Sequence, residues 1–205
     1  MSGPVRTATT TLLLDSLKDP ANQDVWTEFD ARYRPVLVGF ARHLGLGPDD
    51  AADVAQQTLL EFVAQYRAGR YERGRGRLSS WIISIARFRV LDVMRTRGRR
   101  HEARGATVLG GIEDESLSEE RANQAWEENR RRAIISLALT NLRERAKIEE
   151  KHVRAFELVA LRGVPPEEAA AECGMTVDQV YVAKNRVTKR LREFVDEMTR
   201  AYEED

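Results

Sequence analysis

Apolar residues recur at helical spacing over almost the whole chain, and polar or glycine-bearing breaks mark where each run stops. From Leu12 the pattern takes in Leu13, Leu14 and Leu17, breaks at Asp19-Pro20, and resumes with Val25, Trp26, Phe29 and Tyr33. Val36, Leu37, Phe40, Ala41 and Leu44 carry it past Pro35 to Gly45 and Gly47, so a kink or a fresh helix start is expected at that proline. Pro48-Asp49-Asp50 then opens a helix that closes at Gly69, with fixed φ first and acids in the first turn. Its inward stripe is Ala51, Val54, Ala55, Thr58, Leu59, Phe62 and Tyr66. Its outward side carries Asp50, Asp53, Gln57, Leu60, Glu61 and Ala64. An exposed leucine among acids and amides suits a partner surface, although single exposed leucines are ordinary.

A glycine and arginine loop follows, Tyr71 to Arg77, and Ser79 or Ser80 caps the next helix. That helix runs through Trp81, Ile82, Ile83, Ile85, Ala86, Phe88, Val90, Leu91, Val93 and Met94, apolar nearly all round. It is expected at the centre of a bundle, with Trp81 in the core rather than stacked on a base. Gly105 to Ser118 has glycines, acids and little periodicity. Helical spacing returns through Trp126, Ile134, Ile135, Leu137, Leu139 and Leu142, then Ile148, Val153, Phe156, Val159 and Leu161.

The last part reads as helix, short turn, helix. Pro165 and Pro166 precede Glu167, Glu168 and an alanine-rich segment, and Gly174 suits a left-handed C-terminal position. Thr176 then offers an N-cap to a helix with Val177, Val180, Val187, Leu191, Phe194 and Met198 on one stripe, where Lys184 is expected to snorkel. The opposite face shows Gln179, Val182, Arg186, Lys189, Arg190 and Glu193, with Asn185 beside them. A basic, amide-bearing face behind a tight turn fits a DNA major groove; an ordinary solvated surface has the same composition.

No repeat or strand pattern occurs, so the fold class expected is all-α, with two small helical domains on a flexible tether. The divisions are a mobile tail over residues 1–11, a helical domain over 12–104, an acidic linker over 105–132 and a helix-turn-helix domain over 133–205. Lys plus Arg and Asp plus Glu both number 33, and this neutrality hides a polarised molecule. Between Arg67 and Arg104 there are twelve arginines against Glu72, Asp92 and Glu102, while the compensating acids lie at Glu113 to Glu128 and at the C-terminus.

The arginine loop lacks the order of a phosphate-binding loop, so nucleotide hydrolysis is not supported. Alternating guanidinium groups on flexible backbone beside a tyrosine suit single-stranded nucleic acid instead. No paired acid and base, activated nucleophile or cofactor fingerprint points to an enzyme. The histidines have no second ligand at metal spacing, and the lone Cys173 reads as packing. With no apolar run of membrane length and no signal pattern at Met1 to Leu17, a soluble cytoplasmic protein is expected, without metal or cofactor.

The order of these parts is more specific than any one of them. Asp50-Ala-Ala-Asp-Val-Ala-Gln-Gln-Thr-Leu59, the arginine loop, Ser80-Trp-Ile-Ile-Ser-Ile-Ala-Arg87 with Asp92 and a basic end, and the Glu168 to Leu191 pattern resemble the extracytoplasmic-function (ECF) group of bacterial sigma factors, in the sigma-70 family. The resemblance runs from about Leu12 to Val195. It implies a promoter-specificity subunit of RNA polymerase, monomeric when bound. A region 2 bundle would meet the clamp helices and open the -10 element. A region 4 helix-turn-helix domain would read the -35 element and touch the flap.

By the same resemblance, Asp50, Asp53, Gln57, Leu60 and Glu61 would face polymerase. Tyr71, Arg73, Arg75 and Arg77 would hold an unstacked -10 base, with Arg87, Arg95 and Arg97 along nearby backbone. Thr176, Gln179, Val182, Asn185, Arg186, Lys189 and Arg190 would face the -35 duplex.

Acids are usual in the family at Ala52 and Gln57, and asparagine at Phe88. The weakened negative face admits a regulated charge: a phosphate added by a Ser/Thr kinase at Thr58 would supply roughly -1.5 to -2 units, although the helical wheel turns Thr58 inward. Control by an anti-sigma protein is the other form. A stand-alone helix-turn-helix regulator of duplex operators, dimeric and independent of polymerase, is the competing function, and a helical adaptor a further one.

Overall fold

The computed structural model describes residues 10–19, 22–72, 76–102 and 118–202, and no strand occurs among them. The helices are α1 Thr10–Leu17, α2 Gln23–His43, α3 Pro48–Arg67, α4 Leu78–Glu102, α5 Glu119–Arg145, α6 Glu150–Phe156, α7 Pro166–Cys173 and α8 Val177–Tyr202. A π-helical turn, Glu157–Leu161, extends α6. No helix among the described residues is long and apolar enough to cross a membrane. The chain forms two compact units, one up to Ala133 and the other over Ile134–Tyr202, with the boundary inside α5.

The first unit is built on α2. Asn22 caps it, its side-chain oxygen accepting from Val25 N at 3.3 Å, and Arg42 and His43 suit its C-terminus. Pro35 is accommodated inside one helix, so no fresh start occurs there. Gly47 and Pro48 begin α3, whose buried side is Ala51, Val54, Ala55, Thr58, Leu59, Phe62 and Val63; Tyr66 is half-buried. Phe29 of α2 stacks on Phe62 of α3 at 5.1 Å between centroids. Leu13, Leu14 and Leu17 of α1 are buried, and Arg67 Nε of α3 donates to the Leu17 carbonyl at 2.9 Å. That bond satisfies an end-of-helix carbonyl. α1 begins at Thr10, inside the expected tail, while residues 1–9 of that tail lie outside the described residues.

Ile82, Ile83, Ile85, Ala86 and Val90 bury α4 against α3 and α2, but the helix is not enclosed. Ser80, Ser84, Phe88, Asp92 and Arg95 form an exposed stripe at helical spacing. Phe88 is 61% exposed, so the expectation of an apolar residue at the bundle centre is corrected there: its position falls on the solvent side of the stripe.

The stretch read as linker, 105–132, is helical from Glu119 onward, and residues 103–117 lie outside the described residues. Ala122, Ala125, Trp126, Asn129 and Ala133 are buried in the first unit. Acids and arginines give this segment the look of a tether, but most of them lie away from its buried side, with Glu127, Glu128 and Arg130 half-buried at the edge.

In the second unit, Ala155, Leu158, Ala169, Ala170, Val180 and Ala183 form one cluster, with Cys173 packed against it. Ala138, Leu142, Phe156, Val187 and Phe194 form another. Lys184 on the inward stripe of α8 is half-buried, while Ile135 and Leu161 point outward despite their helical spacing.

Candidate nucleic-acid interface

The loop between α3 and α4 closes on an aromatic ladder that starts in the core. Phe62 stacks on Tyr66 at 5.9 Å, Tyr66 meets Tyr71 at 6.1 Å, and Tyr71 stacks on Trp81 at 5.1 Å with the planes 9° apart. Trp81 also meets Phe62 edge-on at 5.2 Å. Tyr71 Oη donates to the Gly76 carbonyl at 3.4 Å, tying the two described ends of the loop.

Beside the stacked pair is an open cavity of about 270 Å³ lined by Arg70, Tyr71, Glu72, Gly76, Arg77, Ser80 and Trp81. Its walls combine π faces with guanidinium groups, which suit a planar base and its phosphate. Trp81, expected in the core, is half-buried: it packs on Phe62 and also lines this cavity. Arg73 and Arg75 lie outside the described residues. Arg77 is at the cavity, Arg95 is exposed on α4 and Arg87 is half-buried.

On α3, Asp53, Gln57 and Leu60 are exposed together on the outward face. The two flanking carboxylates have partners inside the unit. Arg97 of α4 is ion-paired with Asp50, which joins residues the sequence assigns to different partners. Glu61 accepts from Arg89 Nε at 2.9 Å and Arg89 Nη2 at 2.6 Å, and from Gln65 at 2.8 Å. Arg89 was not among the candidates; nothing in its spacing singles it out from the other arginines of α4. Thr58 is 0% exposed, and its hydroxyl has no hydrogen-bond partner among the described residues. A kinase reaches it only if α3 opens locally.

In the second unit, α7 ends at Gly174 with φ 62° and ψ 40°, a conformation that costs a residue with a Cβ about 1–2 kcal/mol. Met175 N donates to the Ala170 carbonyl at 2.9 Å. Thr176 Oγ1 then accepts from Gln179 N at 3.2 Å, while Gln179 Oε1 accepts from Thr176 N at 2.9 Å. This is a reciprocal capping box, so the Gln179 amide is engaged in the helix start rather than free on the face.

Arg190 is held too, donating to Glu193 at 2.7 Å with its guanidinium 4.5 Å from the Phe194 ring. Val182 (67% exposed), Asn185, Arg186 and Lys189 are exposed on the helix. Tyr181, 49% exposed, joins them; the apolar stripe passes it by, which was the available signal. A second open cavity, about 230 Å³, lies against Arg186, Lys189 and Arg190.

Residues 29–100, from within α2 through most of α4, match the family sigma-70 region 2. Over those residues the first unit is similar to sigma-70 region 2. No curated protein matches the chain. The region 2 match takes in the aromatic ladder, the arginine loop and the outward face of α3; α1, α5 and the whole second unit lie beyond it. It supports a sigma-factor role in promoter recognition and melting, and with it binding to core polymerase and promoter DNA.

Proposed function

We propose that this protein is an ECF-group sigma factor in which region 2 captures an unstacked -10 base and the second unit, as a region 4, reads the -35 element. The observation that carries the reading is the Tyr71 and Trp81 cavity with Arg70 and Arg77 at its edge, inside a region 2 domain. A base held there offsets the few kcal/mol spent on unstacking and unpairing it, so melting needs no covalent step. Asp53, Gln57 and Leu60 form the free part of the polymerase-facing surface, with Asp50 and Glu61 held by arginines at its sides.

In the second unit, Val182, Asn185, Arg186 and Lys189 are the reading positions, Thr176 and Gln179 set the helix start, and Arg190 braces Glu193. The protein works in the cytoplasm as a single subunit on polymerase, under an anti-sigma protein or a Ser/Thr kinase.

Run-off transcription with purified core polymerase on a pool of promoter fragments tests the reading. Sequence-selective initiation that depends on this protein is the expected result. Tight binding of the protein alone to palindromic duplex, with no initiation, identifies a stand-alone regulator instead.

A further inference from the structure

Glycine inside a helix costs about 1 kcal/mol relative to alanine, so Gly39 in the middle of α2 needs a reason. The reason is Asn129 of α5. A Cβ on Gly39 would fall on the Asn129 side-chain oxygen and within 2.8 Å of its Cγ. One turn earlier on α5, Trp126 sits between Tyr33 and Phe40 of α2, with ring centroids at 6.4 and 6.5 Å. Residues 119–133 therefore dock on α2 by shape, and they lie outside the region 2 match.

The docked face is poorly suited to permanence. Apart from Trp126 it offers alanines, which bury little area, a half-exposed Glu128 carboxylate 3.6 Å from His43 Nδ1 at the end of α2, and Asn129, whose amide donates to its own helix at Ala125, 2.8 Å away. The indole Nε1 is buried with no partner among the described residues, an arrangement that costs about 1–3 kcal/mol. A segment held by one aromatic anchor, small alanines and a buried indole N–H without a partner among the described residues is a candidate for the low-stability end of the fold.

We propose that residues 119–133 are a releasable strap: they occupy an aromatic slot on α2, keyed by Gly39, and open while the α2, α3 and α4 bundle stays folded. In the open state Tyr33 and Phe40 are bared on α2. The occupant of the slot in the free protein is this chain's own Trp126.

Amide hydrogen exchange on the full chain tests this, independently of any transcription assay. Amides of 122–133 are expected to exchange at least about 10-fold faster than those of 54–63 in α3. Gly39→Ala should accelerate the strap by a further factor of about 10 or more with α3 unchanged, and adding Asn129→Ala should restore slow exchange by making room for the new methyl. The proposal is overturned if strap and α3 exchange together in the wild type, if Gly39→Ala leaves the strap protected or accelerates α3 equally, or if the double variant shows no rescue.

Discussion

The Arg89 guanidinium of α4 donates twice to one oxygen of Glu61 on α3, at 2.6 and 2.9 Å. Both side chains are about one-third exposed, which discounts the pair from the strength of a buried one. Arg89→Ala is expected to lower the stability of the first unit by about 1 kcal/mol. All three tryptophans, Trp26, Trp81 and Trp126, lie in that unit, so the denaturant midpoint followed by tryptophan emission reads the loss directly.

Tyr71→Ala and Trp81→Ala remove the π faces of the cavity. Base stacking on an aromatic ring contributes about 1–3 kcal/mol, so promoter opening should fall by about 10-fold or more. Permanganate reactivity of thymines at the -10 element reads this, and a template already unpaired there should recover most of the loss. Equal loss on both templates would contradict base capture.

Thr176→Ala breaks the capping box and should cost the second unit about 1 kcal/mol, without changing which duplex is preferred. Gln179→Ala should behave the same way. Arg186→Ala, by contrast, is expected to weaken duplex binding by about 1–3 kcal/mol at unchanged stability. Thermal melting by circular dichroism and a competition binding series separate the two classes.

Thr58→Val deletes a buried hydroxyl that has no partner among the described residues, and it should stabilise the first unit by about 1 kcal/mol. Thr58→Glu places a charge in that interior and should lower stability by about 3 kcal/mol or more. Control by phosphate at Thr58 requires a variant that lacks the hydroxyl to initiate poorly under inducing conditions. Full activity of Thr58→Ala there excludes it.

Burial pushes the Cys173 thiol above its ordinary value, the Glu172 carboxylate adds to the rise, and Arg154 opposes it. At neutral pH folded and unfolded chains both hold this proton, so stability is unaffected. As pH climbs past the unfolded thiol's range, the unfolded chain ionises first and stability falls. Alkylation by iodoacetamide at neutral pH should be slower than for an unfolded control, and should speed up on denaturation.

Helix positions and inward faces were readable along the chain because burial on one side of a helix leaves a 3.6-residue trace. The stripes of α3 and α8, the left-handed Gly174 and the cap at Thr176 all follow from local rules. Pairings between helices left no such trace. That Arg97 meets Asp50, that Arg89 holds Glu61, and that Trp81 borders a cavity depend on which faces of α3 and α4 come together. Phe88 shows the limit of composition, since an apolar residue carries no sign of which side of α4 will lack a neighbour.

The same holds for residues 119–133. Their acids and arginines describe an outer face, while the contact that docks them is a missing Cβ at Gly39, 90 residues before Asn129. The sequence by itself determined most of the helices, the cap at Thr176 and the chemistry of the loop, because these rest on neighbours within a turn or two, but it set the start of α4 at Ser79 or Ser80 where the helix begins at Leu78. Only the tertiary structure decided which charges remain free and which segment is held, because both depend on distances between residues far apart in the chain.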